Sequence, residues 1–228
     1  MHVKLISYSQ SVEELYIQGI SDAQELVAYC ARVSNPANQF NTETSEKLIR
    51  YLIKHKHWSP LEMVNVCLEI QTTRDIAHQI VRHRSFSFQE FSQRYADPKV
   101  MGDMFEFRET RLQDSKNRQK SIEVDLSDEK LKDIDQAWQE YQRSVAYVTG
   151  EYYKWAVSNG IAKEQARAIL PEGLTKTVLY MNGSLRSWVH YIDLRSDNGT
   201  QKEHMLIARE CAKVISKIFP IIQEKTPE

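Results

Sequence analysis

Apolar positions recur along this chain with two different periods, and the changes of period mark out its elements. From His2 to Tyr8, Val3 and Leu5 alternate with their neighbours, which predicts a strand. Ser21 and Gln24 make a capping-box start for a helix over Ala23 to Val33, and Asn35-Pro36 stops it. Thr44 to His55 places Leu48, Ile49, Leu52 and Ile53 on one face of a second helix. Leu61 to Thr72 returns to alternation through Met63/Val64, Val66, Leu68 and Ile70, a second strand. Arg74 to Arg84 then reads as a helix with Ile76, Ala77, Ile80 and Val81 inward. Its polar side carries His78, Gln79, Arg82 and His83, and helical spacing projects Gln79 and Arg82 together. Phe105 to Arg111 is expected as a strand, followed by a polar, flexible connection from Leu112 to Ser121.

The second half is mostly helical. Ser127 caps the longest helix, with Asp128 and Glu129 in its first turn. Leu131, Ile134, Trp138, Tyr141, Val145, Val148, Tyr152 and Trp155 alternate steps of three and four, a heptad seam for another helix of this chain or of a partner subunit. These aromatics read as packing, not as a cofactor box. Asn159-Gly160 ends the helix. A short helix from Lys163 to Leu170 is stopped by Pro171, and Leu174 to Met181 is a further strand. Ser184 to Arg195 forms a helix with Leu185, Trp188, Val189 and Ile192 inward. Lys202 to Phe219 forms the last one, burying Met205, Ala208, Ala212, Ile215 and Phe219. Strands and helices mix without strict alternation, so the fold class is α+β, a mixed or antiparallel sheet flanked by helices.

Composition narrows the picture. The chain has 228 residues, 30 Lys+Arg against 31 Asp+Glu and a formal net charge of −1, a balance that argues against a dedicated nucleic-acid binder. Seven glycines, six prolines and no repeat or low-complexity tract favour one domain over residues 1–228. Cys30, Cys67 and Cys211 lie among apolar residues without C-x-x-C spacing, as buried thiols of a reducing compartment do. No apolar run approaches membrane-spanning length and no signal-peptide pattern opens the chain, so a soluble, cytoplasmic protein without a membrane partner is expected.

The densest chemistry lies in Arg82-His83-Arg84-Ser85-Phe86-Ser87-Phe88-Gln89-Glu90-Phe91-Ser92-Gln93-Arg94. Planar guanidinium forks match phosphate oxygens in pairs, while serine hydroxyls and backbone N–H groups add neutral donors. The run suits a phosphate-and-base cradle; it also suits an exposed basic turn after a helix. His55, His57, His78 and His83 show no metal-ligand spacing, so no metal site is predicted. Neither a dinucleotide fingerprint nor a Walker loop is present, so any nucleotide is held by an unusual site. Ser87 and Ser92 lack a G-x-S-x-G elbow, and no cysteine sits in an electropositive setting that would make it a thiolate. The difficult chemistry therefore belongs to a cofactor, with the protein positioning and polarising.

Arg82-His83-Arg84, Ser87, Ser92 and Arg94 match R-H-R-x2-S-x4-S-x-R in full, the signature of the flavin-dependent thymidylate synthases of the ThyX type. The resemblance extends upstream, where His57-Trp58-Ser59-Pro60-Leu61-Glu62 is similar to an H-x-[ST]-P-x-E element. Downstream, Ala166 to Pro171 resembles the A-R-x-x-L-P segment, and Ser184 to Arg195 resembles the final shared helix. Two other classes stay in view. A nucleotide- or RNA-binding module using the same cradle would bind phosphate salt-sensitively and carry no chromophore. A thymidylate synthase of the other type would need a nucleophilic cysteine.

The resemblance implies a ThyX-type fold and a homotetramer with sites at subunit interfaces. It implies conversion of dUMP to dTMP with FAD as cofactor, 5,10-methylenetetrahydrofolate as carbon donor and NADPH as reductant of the flavin. Gln79, Arg82, Glu90, Phe91, Ser92, Gln93, Arg94, Arg167 and Arg195 correspond to the dUMP-contacting set. His57, Ser59, Arg82, His83, Arg84, Glu90, Ser184, Arg186 and His190 correspond to flavin-contacting positions. Negative charge must build on the pyrimidine as C5 becomes nucleophilic, and Arg195 is the cation expected to stabilise it.

Overall fold

The computed structural model describes residues 2–94, 104–197 and 199–225. A four-stranded sheet has the order β1-β2-β6-β3, with β1 at His2–Tyr8, β2 at Asn65–Thr73, β3 at Ser87–Glu90 and β6 at Lys176–Ser184. The N–H of Arg74 meets Thr175 O at one end of the β2/β6 pair, and that of Leu185 meets Val64 O at the other, so the two strands run antiparallel. Three helices precede β2: α1 (Glu13–Ile17), α2 (Ala23–Ala31) and α3 (Ser45–Lys54). α4 (Arg74–Ile80) follows β2 without a break. A two-stranded hairpin, β4 (Arg111–Gln113) with β5 (Ser121–Glu123), leads to α5 (Glu129–Ser158) and α6 (Lys163–Ala166), and α7 (Leu185–Arg195) and α8 (Lys202–Ile215) close the order. The predicted α+β class holds.

The chain forms two compact units. The first comprises residues 1–70, 81–89 and 180–228 and the second 71–80 and 90–179. In the first, α7 packs on α8, α8 on β1, and α2 on α3. Its core holds Leu61, Val66, Leu68, Trp188, Tyr191, Ile192 and Phe219, all essentially inaccessible to water. Leu185, Trp188, Val189 and Ile192 face inward on α7 as their spacing predicts. In the second unit Met104, Tyr153, Ala156 and Ala166 form the core with Phe105, Val157 and Leu170.

Several local expectations fail for identifiable reasons. Asp22, not Ser21, caps α2, because its carboxylate reaches Glu25 N while Glu25 reaches back to Asp22 N and Ser21. The helix stops at Ala31, two residues early. Asp128 rather than Ser127 caps α5 by accepting from Lys130 N and Leu131 N; Ser127 N donates to Asp125 instead. α4 ends at Ile80 rather than Arg84, so Gln79 and Arg82 do not share a helix face. Phe105 makes only a bridge to Thr175, and the strand arises later, within the segment expected to be a loose connection. There Asp114 accepts from Lys116 N and Asn117 N and tightens the hairpin turn.

The heptad seam of α5 has no cover among the described residues. Ile134, Trp138, Tyr141, Val145, Val148, Tyr152 and Trp155 are exposed, while Gln142, Ala146, Gly150, Tyr153 and Ala156 are buried. Small residues on that second stripe allow close approach: a Cβ at Gly150 would stand 3.4 Å from Phe105. Gln142 is buried because it accepts from Arg108 N and donates to Arg108 O.

Candidate functional site

α3 ends in a left-handed turn at Lys56, with φ of +58°. Lys56 N donates to Ile53 O and His57 N to Leu52 O, the paired bonds of a Schellman stop. This turn leaves His57 exposed, with Tyr51 edge-on at 6.0 Å. Ser59–Met63 follows as a 3-10 turn opened by Pro60, where a missing N–H costs nothing. Its Glu62 accepts from Ser184 Oγ at 2.6 Å and from Arg186 Nη1 at 2.6 Å. The Ser184 hydroxyl, the Arg186 guanidinium and the positive charge nearby hold the Glu62 carboxyl below the usual carboxylate range.

Ser184 is also the N-cap of α7, accepting from Ser187 N, and Ser187 Oγ donates to Ser85 O. The 3-10 turn, the start of α7 and the Arg82–Ser87 segment are thereby held together in the first unit. Beside them opens a polar cleft of about 510 Å³ lined by Glu62, Asn65, Ser85, Ser87, Arg186 and His190, among others. His190 lies one turn along α7 from Arg186, with its ring 4.4 Å from that of Trp58. Of the predicted flavin set, Ser184, Arg186 and His190 line this cavity, while His57, Ser59, Arg82 and Arg84 are exposed in the same unit.

His83, also of the predicted flavin set, is half-buried beside Arg195. Its Nε2 accepts from Arg195 Nε at 3.0 Å. Burial and the Arg195 charge push His83 down to about 4, so the imidazole is neutral near pH 7 and carries its proton on Nδ1.

The second unit carries the rest of the predicted set. Glu90 accepts from Arg74 Nη1 at 3.3 Å and Thr177 Oγ1 at 2.9 Å. Phe91 N donates to Val178 O, leaving the Phe91 ring exposed. Ser92 Oγ accepts from Arg94 N, and the exposed Arg94 pairs with Glu164 at 3.5 Å. Gln93 is buried, and its Nε2 has no partner among the described residues. Gln79 sits half-buried on α4, and Arg167 begins the 3-10 turn after α6. Glu62, Arg74 and Thr177 were not singled out from sequence. Only Glu62 carried a signal, as the last position of the His57–Glu62 element. Among the described residues no group of three or more His, Cys, Asp or Glu could hold a metal ion, and no helix is long and apolar enough to cross a membrane. Burial raises the thiols of Cys30, Cys67 and Cys211 above their ordinary value, the opposite of what a nucleophilic thiolate needs.

The family model Thy1, described as thymidylate synthase complementing protein, matches residues 16–221. The chain belongs to this family. Among relatives of the Thy1 chain, the probable flavin-dependent thymidylate synthase of Paramecium bursaria Chlorella virus 1 is 47% identical over 223 residues, 97% of either chain. The flavin-dependent thymidylate synthase of a Synechocystis species matches with the same identity and coverage. In fold, the Thy1 chain is similar to the UMP/dUMP methylase PolB of Streptomyces cacaoi bound with 5-Br dUMP. There the TM-score is 0.76 at 24% identity, over 98% of this chain and 93% of that one.

Proposed function

We propose that this flavin-dependent thymidylate synthase methylates dUMP reductively to dTMP, taking the carbon from 5,10-methylenetetrahydrofolate and reducing its FAD with NADPH. The observation that carries the reading is the Glu62–Ser184–Arg186 network beside a cavity of hydroxyls and amides. A flavin dinucleotide needs a cation for its pyrophosphate and neutral donors around it, and Arg186, Ser85, Ser87 and Asn182 match that need. Ser184, Arg186 and His190 hold FAD there, with Ser59, Arg82, His83, Arg84 and Glu90 completing the set and His57 against the flavin ring. When bound, the flavin supplies the hydride.

For dUMP, Ser92, Gln93 and Arg94 are assigned to the phosphate, with Gln79, Arg82, Glu90, Phe91 and Arg167 as further contacts. Arg195 acts at the pyrimidine. Its Nε is committed to His83, which leaves the two terminal amino groups to face N3 and O2, where negative charge builds as C5 attacks. The family match spans both compact units, consistent with one functional domain over residues 1–228.

We place the enzyme in the cytoplasm as a homotetramer, with sites completed by neighbouring copies and no nucleic-acid or membrane partner. The bare seam of α5 supports the assembly. Trp138, Tyr141, Tyr152 and Trp155 are 43%, 66%, 62% and 61% exposed. At ~200 Å² per ring this leaves roughly 460 Å² uncovered, over half of the ~800 Å² that one side of a standard interface buries.

A visible spectrum of the purified protein with added FAD, before and after dUMP, tests the reading. A flavin spectrum that shifts on dUMP addition, followed by dTMP formation with the folate and NADPH, is expected. Absence of flavin binding would refute it.

A further inference from the structure

Arg195 is only as useful as its direction, and the structure shows what sets that direction. A guanidinium on a helix end can sweep several ångströms through its rotamers. Here its Nε is held by His83 Nε2 at 3.0 Å, so the plane of the His83 ring orients the fork. That ring is in turn held by Tyr191, whose ring meets it edge-on, with centroids 4.9 Å apart and an interplanar angle of 87°. Tyr191 is locked on its other sides by Phe86 at 5.9 Å and Trp188 at 5.9 Å, both T-shaped contacts. At its far end, the Tyr191 hydroxyl is 3.1 Å from His204 Nε2.

His204 lies on α8, and neither it nor Tyr191 belongs to the predicted site. Both are buried. A buried imidazole is costly unless it is hydrogen-bonded, and an apolar residue of similar size would suit a helix interface better. The four groups form one cluster: His204 bonds the Tyr191 hydroxyl and also meets the His83 ring edge-on at 6.2 Å, Tyr191 packs on His83, and His83 accepts from Arg195. Each link is a side-chain contact in which the partner cannot rotate away without losing a hydrogen bond or a ring contact.

We propose that Tyr191 and His204 are positioning residues, which fix the orientation of the Arg195 guanidinium through the His83 ring. The inference rests on the role given to Arg195 above. Its chemistry is self-consistent: His83 must present an unprotonated Nε2 to Arg195, and Nδ1 then carries the proton. Arg195 thus remains the single cation of the group, beside two neutral imidazoles. His204 is held neutral by burial and by Arg195, down to about 3. Losing the Tyr191–His204 bond frees the Tyr191 ring to tilt, and His83 and the guanidinium tilt with it.

The test uses flavin-loaded enzyme with His204→Leu, His204→Gln and Tyr191→Phe. Tyr191→Phe keeps the ring and loses only the hydroxyl, so it serves if His204→Leu fails to fold. His204→Leu and Tyr191→Phe are expected to lower kcat by about tenfold, with the dUMP KM changed less than about threefold, because the lost interaction acts in the transition state. His204→Gln, whose amide can still bond the tyrosine hydroxyl, should recover most of the rate. Nitrogen-15 spectra of histidine-labelled protein, assigned with His83→Gln, give a second readout. Wild type should show His83 as the Nδ1–H tautomer, and His204→Leu and Tyr191→Phe should show a tautomer mixture. Wild-type kcat and an unchanged His83 signature in folded variants would overturn the proposal. Equal losses in His204→Leu and His204→Gln with that signature intact would mean a merely structural role, and would overturn it too. Wild-type enzyme without turnover would sink the functional reading instead, and the His83 signature alone would then decide the positioning role.

Discussion

Gly183 offers a sharp test of how the cavity wall is built. A Cβ added there would stand 2.5 Å from Phe86 Cδ1, 2.8 Å from Cε1 and 3.3 Å from Cγ. Ordinary carbon contact needs about 3.5 Å, so the Phe86 ring would have to retreat by about 1 Å. It has little room, being 9% exposed and packed edge-on against Trp188 at 4.8 Å. Overpacking of this kind costs about 1–3 kcal/mol, offset by up to ~1 kcal/mol from the lost backbone freedom of glycine in the unfolded chain. Gly183→Ala should therefore destabilise by about 1–2 kcal/mol, a fall in Tm of roughly 2–8 °C for a chain of this length. Trp188 makes intrinsic fluorescence a suitable probe of the melt. Ser85 and Ser87 flank Phe86 and line the cavity, so FAD affinity should fall together with stability. Adding Phe86→Leu to Gly183→Ala should restore part of both, since the pair shares one clash. A Gly183→Ala protein that melts at or above wild type and binds FAD normally would refute the reasoning.

Further predictions concern charge and surface. Glu62→Gln should change stability by less than about 1 kcal/mol, because the ion pair with Arg186 is 36% and 45% exposed at its two ends. The same change should weaken FAD by about tenfold, read by flavin fluorescence, since it frees Arg186 and Ser184 to rotate. The Glu62 carboxyl is depressed in the fold, so its contribution is present above the ordinary carboxylate value and lost as pH falls through the lower folded one. His83 and His204 are pushed down to about 4 and about 3, and the unfolded chain therefore binds more protons than the native one below about pH 6.5. Stability followed by urea melts should fall as pH drops from about 6.5 toward 4, and His204→Gln should flatten that slope. Paired Tyr152→Asp and Trp155→Asp should shift sedimentation toward smaller species with folding intact, because both rings are exposed in the single chain. An unchanged sedimentation coefficient would remove the α5 seam from the assembly.

Long periodic stretches were legible from the residues alone. The apolar stripe of α7 and the alternation of β2 are read from spacing because burying one face dominates over a dozen positions, whereas the spacing in α5 marked the helix but not the face it buries. The family was equally legible, since six fixed positions within Arg82–Arg94 and the flanking elements occur in order. Helix ends were less so. Asp22 displaced Ser21 and Asp128 displaced Ser127 because neighbouring capping residues compete within about 1 kcal/mol, and only the folded backbone selects the winner.

Taken by itself, the sequence determined which chemistry is present: arginines and serines for anions, thiols without activation, and a seam suited to another helix of this chain or of a partner. The tertiary structure decided which of those groups meet. It ended α4 at Ile80, brought Glu62 to Ser184 and Arg186 across more than 120 residues, and set His83 Nε2 as the acceptor for Arg195. It also left the α5 seam uncovered among the described residues. The physical reason is range. Periodicity and capping act over a few residues and are written in local spacing. A hydrogen bond between distant side chains depends on how whole elements pack, and packing is a property of the assembled core.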